Sequence, residues 1–232
     1  MTATMVTWPH AVPAWPPPPD RVNTAGTTVT RHRTPTLEVR DALLRAARAL
    51  LDERGPDALT VRDIATRAGV GVMGVYNRFG SKDGIINALL QQGFDELSTA
   101  VAVTPDSDDP RRSIVSGLGR YRAFALANPA MYRLMFDHPL PSIEPTHAAR
   151  TAARNAFNRL VDTVRLGIAT GHLQPGEPDE IAQRLWAACH GAVSLELRHI
   201  GFVADHSTHY TALVNTILRG LTTDHPQRNH GT

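Results

Sequence analysis

The chain has 232 residues, 42% of them hydrophobic and 20% charged, the balance of a globular protein with enough apolar side chains for a sizeable core. No run approaches the eighteen or so apolar residues of a membrane span, and MTATMVTWPHAVPAWPPPP has neither the basic start nor the apolar block of a secretion signal. A net charge of +2 excludes a general polycation, and the single cysteine, Cys189, excludes an internal disulfide, so the expectation is a cytoplasmic protein whose contacts with nucleic acid, if any, come from a local patch.

Residues 1–34 hold the run Pro16–Pro19, scattered threonines and no apolar period, and are expected to be a disordered, proline-rich arm. Arg31 and Arg33 at its end are placed to enter a DNA minor groove. Between Arg31 and Lys82 there are ten Lys+Arg against six Asp+Glu, which makes this the basic part of the chain.

From Thr36 the period is helical. Leu37, Leu44, Ala47, Leu50 and Leu51 form one apolar stripe that ends at Gly55-Pro56. Thr60 is an N-cap, with Asp63 three residues on, for a second short helix to about Arg67. Ala68-Gly69-Val70 reads as a tight turn, a third helix runs to about Asn77, and Ser81 caps a fourth that begins at Lys82. Asp109-Pro110, Asn128-Pro129 and Glu177-Pro178 each place proline at a first helical position. Further helices are expected at 110–127, 129–137, 146–171, 178–202 and 207–222. Alternating β-branched runs bracketed by hairpin turns are missing. The fold class is therefore all-α, about nine helices, with a three-helix head and a longer helical body.

Two short helices joined by a three-residue turn containing glycine match a helix-turn-helix, whose second helix enters the major groove. Ala65 is small where the helices approach, Gly69 supplies the positive φ of the turn, and Ile64, Val70 and Val75 supply apolar contact. Gly71 and Gly74 weaken the second helix by roughly 1 kcal/mol each against alanine. Gly71 shares a face with Val75 and Phe79 and is expected to allow tight packing on the preceding helix. Gly74 is expected to let the backbone approach the duplex.

The stretch LTVRDIATRAGVGVMGVYNRFGSKDGI, with its leading amphipathic helix and its Tyr76-x-x-Phe79-Gly80-Ser81-Lys82-Asp83 ending, resembles the DNA-binding head of the TetR family of transcriptional regulators. Trp186-x-x-x-His190-Gly191 is similar to a signature in the C-terminal domain of one subset of that family. The resemblance implies a DNA-binding domain at 35–82, a helical effector-binding and dimerisation domain at 83–223, and a flexible tail at 224–232. It further implies a role for particular residues. Arg62 corresponds to a position that reaches a base, and arginine to guanine is the commonest bidentate contact. Val72 and Met73 offer apolar contact only, Asn77 can pair with adenine, and Tyr76 can touch a base or a phosphate. Thr60, Arg78 and Lys82 are candidate phosphate contacts, the last beside the exposed amides that open the fourth helix.

In the body, Tyr121, Phe124, Met135, Phe157, Trp186 and His190 are the expected lining of a cavity for a small apolar or aromatic effector, since bundles build ligand sites between helices. Each is also an ordinary core residue by spacing. Cys189-His190 is no nucleophile pair, because adjacent helical side chains diverge by about 100° and no orienting group follows. His199, Asp205, His206 and His209 lack a metal-ligand spacing. Neither an enzyme, a cofactor nor a metal is expected. The last two helices carry Leu185, Ala188, Ala192, Leu195, Leu213, Ile217 and Leu221, and the resemblance implies that they form a homodimer. The expected function is an effector-released repressor that binds a palindromic operator in double-stranded DNA. The alternative is a helical ligand-binding or stress protein whose head no longer binds DNA.

Overall fold

The computed structural model describes residues 36–104, 106, 108–137 and 143–222. The expected arm at 1–34, with Arg31 and Arg33, and the expected tail at 224–232 lie outside these residues. Among the described residues the chain forms nine α-helices: α1 Thr36–Arg54, α2 Val61–Arg67, α3 Val72–Phe79, α4 Lys82–Ala100, α5 Pro110–Ala127, α6 Pro129–Phe136, α7 His147–Ala169, α8 Pro178–Leu197 and α9 His206–Leu221. A 3-10 turn at Pro56–Ala58 joins α1 to α2, and the one β feature among them is an isolated bridge between Leu173 and Thr222.

Local chemistry accounts for the helix starts. The Thr60 hydroxyl accepts the amide of Asp63 at 3.1 Å, Ser81 accepts that of Gly84 at 3.2 Å, and Asp109 accepts that of Arg112 at 2.9 Å, each satisfying an amide that the helix itself leaves free. Pro110, Pro129 and Pro178 open α5, α6 and α8. Asn128 precedes α6 without capping it. Its side chain instead donates to the Phe124 carbonyl at 3.0 Å and accepts Arg48 Nη2 of α1 at 2.7 Å.

The helix ends differ more from expectation. The helix expected at 178–202 stops at Leu197, because His199 adopts a left-handed φ of 54° while its amide bonds to the Glu196 carbonyl and that of Ile200 to Leu195. These are the two hydrogen bonds of a Schellman closure, which usually has glycine at that position. In α1, Leu37 lies outside the apolar stripe and is 74% exposed, whereas Leu43 is fully buried. The first turn of α1 runs past the core that the rest of the helix packs on.

Two apolar cores meet along α4. The first joins Leu50 and Leu51 of α1, Ile64 of α2, Val75 of α3 and Ile85 and Leu89 of α4. Met131 and Leu134 of α6 and Ala149 of α7 belong to it as well. The boundary expected after Lys82 thus falls at the first residue of a helix whose front half packs into the head. The second core gathers Leu97, Leu118, Tyr132, Val164, Leu185 and Val214 from α4 to α9. At about 1.5–3 kcal/mol for each large apolar side chain removed from water, these cores are the main favourable contribution to folding. Helix α6 is shared: Met131 and Leu134 face one core and Tyr132 the other. No helix of the described residues is long and apolar enough to cross a membrane.

Candidate nucleic-acid interface and ligand cavity

Between α2 and α3 the chain turns through Gly69 at φ 68°. The amide of Gly69 bonds to the Thr66 carbonyl and that of Val70 to Ala65, so the turn is itself a Schellman closure and the glycine relieves the cost of a left-handed residue. Ile64 and Ala65 of α2 and Val75 of α3 are buried between the helices. The packing role expected for Gly71 is not found. It is the N-cap of α3 in extended backbone, and a Cβ there would meet open space. At Gly74 a Cβ would make ordinary contact with Val70 at 3.6 Å, so packing does not demand that glycine either.

With Val75 turned inward, the opposite side of α3 is exposed: Val72 at 41%, Met73 at 66% and Tyr76 at 46%, with Asn77 beside them. Thr60, Arg62 and Lys82 are exposed at the starts of α2 and α4, and Gly74 is half-buried. Arg78 is half-buried, and its Nε is buried without a hydrogen-bond partner among the described residues. This set holds three cations, with Asp63 bonded to the Thr60 hydroxyl at 2.7 Å and Asp83 exposed beside Lys82. The neighbouring Arg67 is engaged by Glu53 in an ion pair. Such a surface can meet a polyanion with arginine and lysine while Asn77, Val72 and Met73 meet base edges. Gly84, which the sequence reading passed over, holds this face in shape. A Cβ there would overlap the carbonyl oxygen of Phe79, so only glycine lets the first turn of α4 close onto the last turn of α3. Its place three residues after the capping Ser81 was the available signal.

In the body, a cavity of about 530 Å³ lies among α4, α5, α7 and α8, with Phe136 of α6 on its wall. Of the six residues expected to line it, Tyr121, Phe157 and Trp186 do. Phe124 borders a separate, more open groove beside α1 and α4. Met135 is partly buried where the two cores meet, and His190 stands behind Tyr121. The sequence reading missed Phe94, Leu97, Ile114 and Leu160, together with the arginines of α7.

Behind the wall runs a chain of hydrogen bonds. Trp186 Nε1 donates to the Tyr121 hydroxyl at 3.2 Å, which lies 2.8 Å from the Tyr132 hydroxyl, which in turn lies 2.7 Å from His190 Nδ1. The Tyr121 hydroxyl is also 3.2 Å from His190 Nδ1. Burial holds the His190 imidazole below its ordinary pKa, opposed by nearby Asp137 and assisted by Arg198. Burial also pushes the Tyr132 phenol up to about 12 and the Tyr121 phenol further still. At neutral pH the phenols are therefore protonated and the imidazole neutral, so that a phenol can donate to Nδ1 when the imidazole proton is on Nε2. On the far side Nε2 is 4.0 Å from Asp137, which pairs with Arg198 at 3.3 Å. Trp186 and His190, one turn apart, have ring centroids 5.5 Å apart. Burial pushes the Cys189 thiol up to about 11, so it stays protonated and is a poor nucleophile.

The family model described as "Bacterial regulatory proteins, tetR family" matches residues 43–89, and "Tetracyclin repressor-like, C-terminal domain" matches 115–221. An uncharacterized HTH-type transcriptional regulator of Mycobacterium tuberculosis, Rv0681, is 24% identical over 197 residues, covering 85% of this chain and 88% of that protein. The HTH-type transcriptional repressor Rv3405c of the same organism is 39% identical over 84 residues, 36% of this chain and 43% of its own length. Among solved structures, a protein of unknown function from Rhodococcus sp. RHA1 superposes with a TM-score of 0.70 at 25% identity, over 85% of this chain and all of that one.

Proposed function

Because the chain belongs to the TetR family and is a DNA-binding transcriptional regulator rather than an enzyme, we propose that it is a repressor that binds a palindromic operator as a homodimer in the cytoplasm. A small apolar or aromatic effector in the cavity releases it. The observation that carries this reading is the double membership of α6. Tyr132 is a link in the hydrogen-bond chain that begins at the cavity wall, and its neighbours Met131 and Leu134 sit in the core beneath the helix-turn-helix. An occupant that moves Trp186 or Tyr121 therefore changes what α6 can do for the head. Arg48 of α1 adds a second link, donating to Glu96 of α4 at 2.9 Å and to Asn128 before α6 at 2.7 Å.

In this reading Arg62 and Asn77 read bases, Val72 and Met73 touch thymine methyls, Gly74 allows close approach, and Thr60, Tyr76, Arg78 and Lys82 hold phosphates. Few base contacts leave part of the specificity to DNA shape. The homodimer uses α8 and α9, whose outer faces expose Ala187, Gly191 and Leu195, and Ala212, Thr216 and Gly220. Two-fold symmetry then sets two reading heads on successive major grooves. The name of Rv3405c supports repression. Effector and operator each weaken the other's binding equally, as linkage requires.

The apolar pair Val72 and Met73 favours a second reading, a helical ligand-binding protein without an operator. Selection of bound duplexes from a randomised pool at moderate salt, with wild type and Arg62→Ala, separates the two. Enrichment of a palindrome that the variant loses or relaxes supports the regulator. Binding without enrichment, or no binding, removes it.

A further inference from the structure

The cavity wall carries cations and, among the described residues, no carboxylate. Arg150, Arg154 and Arg159 of α7 all line it. Two of these guanidinium groups are engaged elsewhere: Arg150 donates to the carbonyl of Pro145, and Arg154 pairs with Asp179. Arg159 donates through Nε to the Ser98 hydroxyl at 3.3 Å, and its two NH2 groups meet no acceptor among the described residues. The rest of the wall is chiefly apolar, with Phe94, Leu97, Ile114, Phe157, Leu160 and Trp186. At the Trp186 end the indole N–H and the Tyr121 hydroxyl already satisfy each other, so that end asks for an apolar contact.

We propose that the effector is an amphiphilic monocarboxylic acid, with an alkyl or aryl body between Phe157 and Trp186 and its carboxylate on the NH2 groups of Arg159. The inference rests on the reading of this cavity as the effector site and names its ligand class. A planar guanidinium with two free NH2 groups matches the two oxygens of a carboxylate. A cationic ligand would bury its charge beside three arginines without a counter-ion. A neutral ligand of the same shape fills the cavity, whose volume suits a molecule of drug size, but leaves the arginine donors to water. Arg159 is itself exposed, so its pair with the ligand is partly solvated and discriminates by about fivefold rather than by orders of magnitude.

The test titrates the purified full-length protein calorimetrically with two matched pairs, decanoate and decan-1-ol, and 4-butylbenzoate and 4-butylbenzyl alcohol. At least one acid is expected to bind about fivefold more tightly than its alcohol. Arg159→Gln should bring that acid to the level of its alcohol and leave the alcohol's affinity unchanged, which also shows that the variant is folded. Arg150→Gln, whose guanidinium already serves a backbone carbonyl, should keep most of the preference. The proposal is overturned if neither acid exceeds its alcohol, if no acid binds, or if the preference survives Arg159→Gln. Duplex binding measured in the same mixtures keeps the two readings apart. Acids and alcohols that displace DNA equally well sink the acid class and leave the effector site standing. Acids that bind through Arg159 without displacing DNA sustain the acid class and sink effector release.

Discussion

The hydroxyl of Tyr132 meets Nδ1 of His190 at 2.7 Å, and this contact joins α6, which enters the core of the head, to α8, which walls the cavity. Tyr132→Phe removes one donor from the half-buried imidazole, which keeps the Tyr121 hydroxyl at 3.2 Å, so the variant should cost about 0.5–1.5 kcal/mol in urea denaturation. Combined with His190→Gln the losses should not add, with an interaction energy of about 0.5–3 kcal/mol. Strict additivity would mean that the pair carries no coupling.

The same histidine makes stability depend on pH in a known direction. Its folded pKa lies below the ordinary 6.5 because of burial, so the unfolded chain binds the proton more readily. Stability from this group is complete above pH 6.5 and is lost as pH falls from there through the folded value. Thermal melts of wild type and His190→Gln should therefore converge as the buffer is acidified below 6.5. Parallel melts across that range would contradict the assignment.

Gly84 is fixed by contact. A Cβ there would overlap the Phe79 carbonyl, and backbone cannot yield as a flexible side chain does. Gly84→Ala should destabilise the protein by about 1–3 kcal/mol, the range for overpacking, and reduce duplex affinity by displacing α3 against α4. Gly71→Ala, with open space around its Cβ, should cost no more than about 1 kcal/mol, the effect of alanine at a helix N-cap.

Lys82 and Arg62 differ in the kind of loss they predict. Lys82→Ala should weaken binding to all duplexes alike and flatten the dependence of log K on log salt by about 0.9 per protomer. Arg62→Ala should relax preference at one base pair by about 1–3 kcal/mol. Binding isotherms across a salt series, on selected and scrambled duplexes, distinguish the two. A uniform loss for Arg62→Ala would assign it to phosphate.

His199 occupies the left-handed region at φ 54°, where a side chain costs about 1–2 kcal/mol relative to right-handed backbone. His199→Gly should raise the melting temperature, with a gain of up to about 1 kcal/mol after the entropy of the unfolded glycine is counted. A lower melting temperature would show that the imidazole makes a contact worth more than the strain.

The nine helices of the described chain and most of their starts were legible in the sequence because caps and prolines act within four residues of themselves. Thr60 and Ser81 each cap as read, Pro110 opens α5 as read, and Gly69 turns as read. Helix ends were less legible: α8 stops at a histidine in a glycine's conformation, which no side-chain preference announces. Once Val75 is taken to face inward, the exposure of Val72, Met73, Tyr76 and Asn77 follows from helical period.

The cavity lay beyond that reach. A period of 3.6 residues says which side of a helix is apolar, but the wall is made by five helices at once, and whether Phe124, Met135 or Phe94 faces the space depends on how those helices cross. The six expected lining residues were accordingly divided, three on the cavity and three elsewhere, and the three arginines of α7 came to one cavity though two of them lie on opposite sides of their helix. At Gly84 the capping Ser81 three residues earlier marks the helix start, but the overlap of a Cβ with the Phe79 carbonyl appears only once α3 and α4 are placed. Covalent neighbours decide conformation over a turn or two, whereas contact between residues tens of positions apart is decided by the packing of whole helices, and in this protein the ligand chemistry is written at that second level.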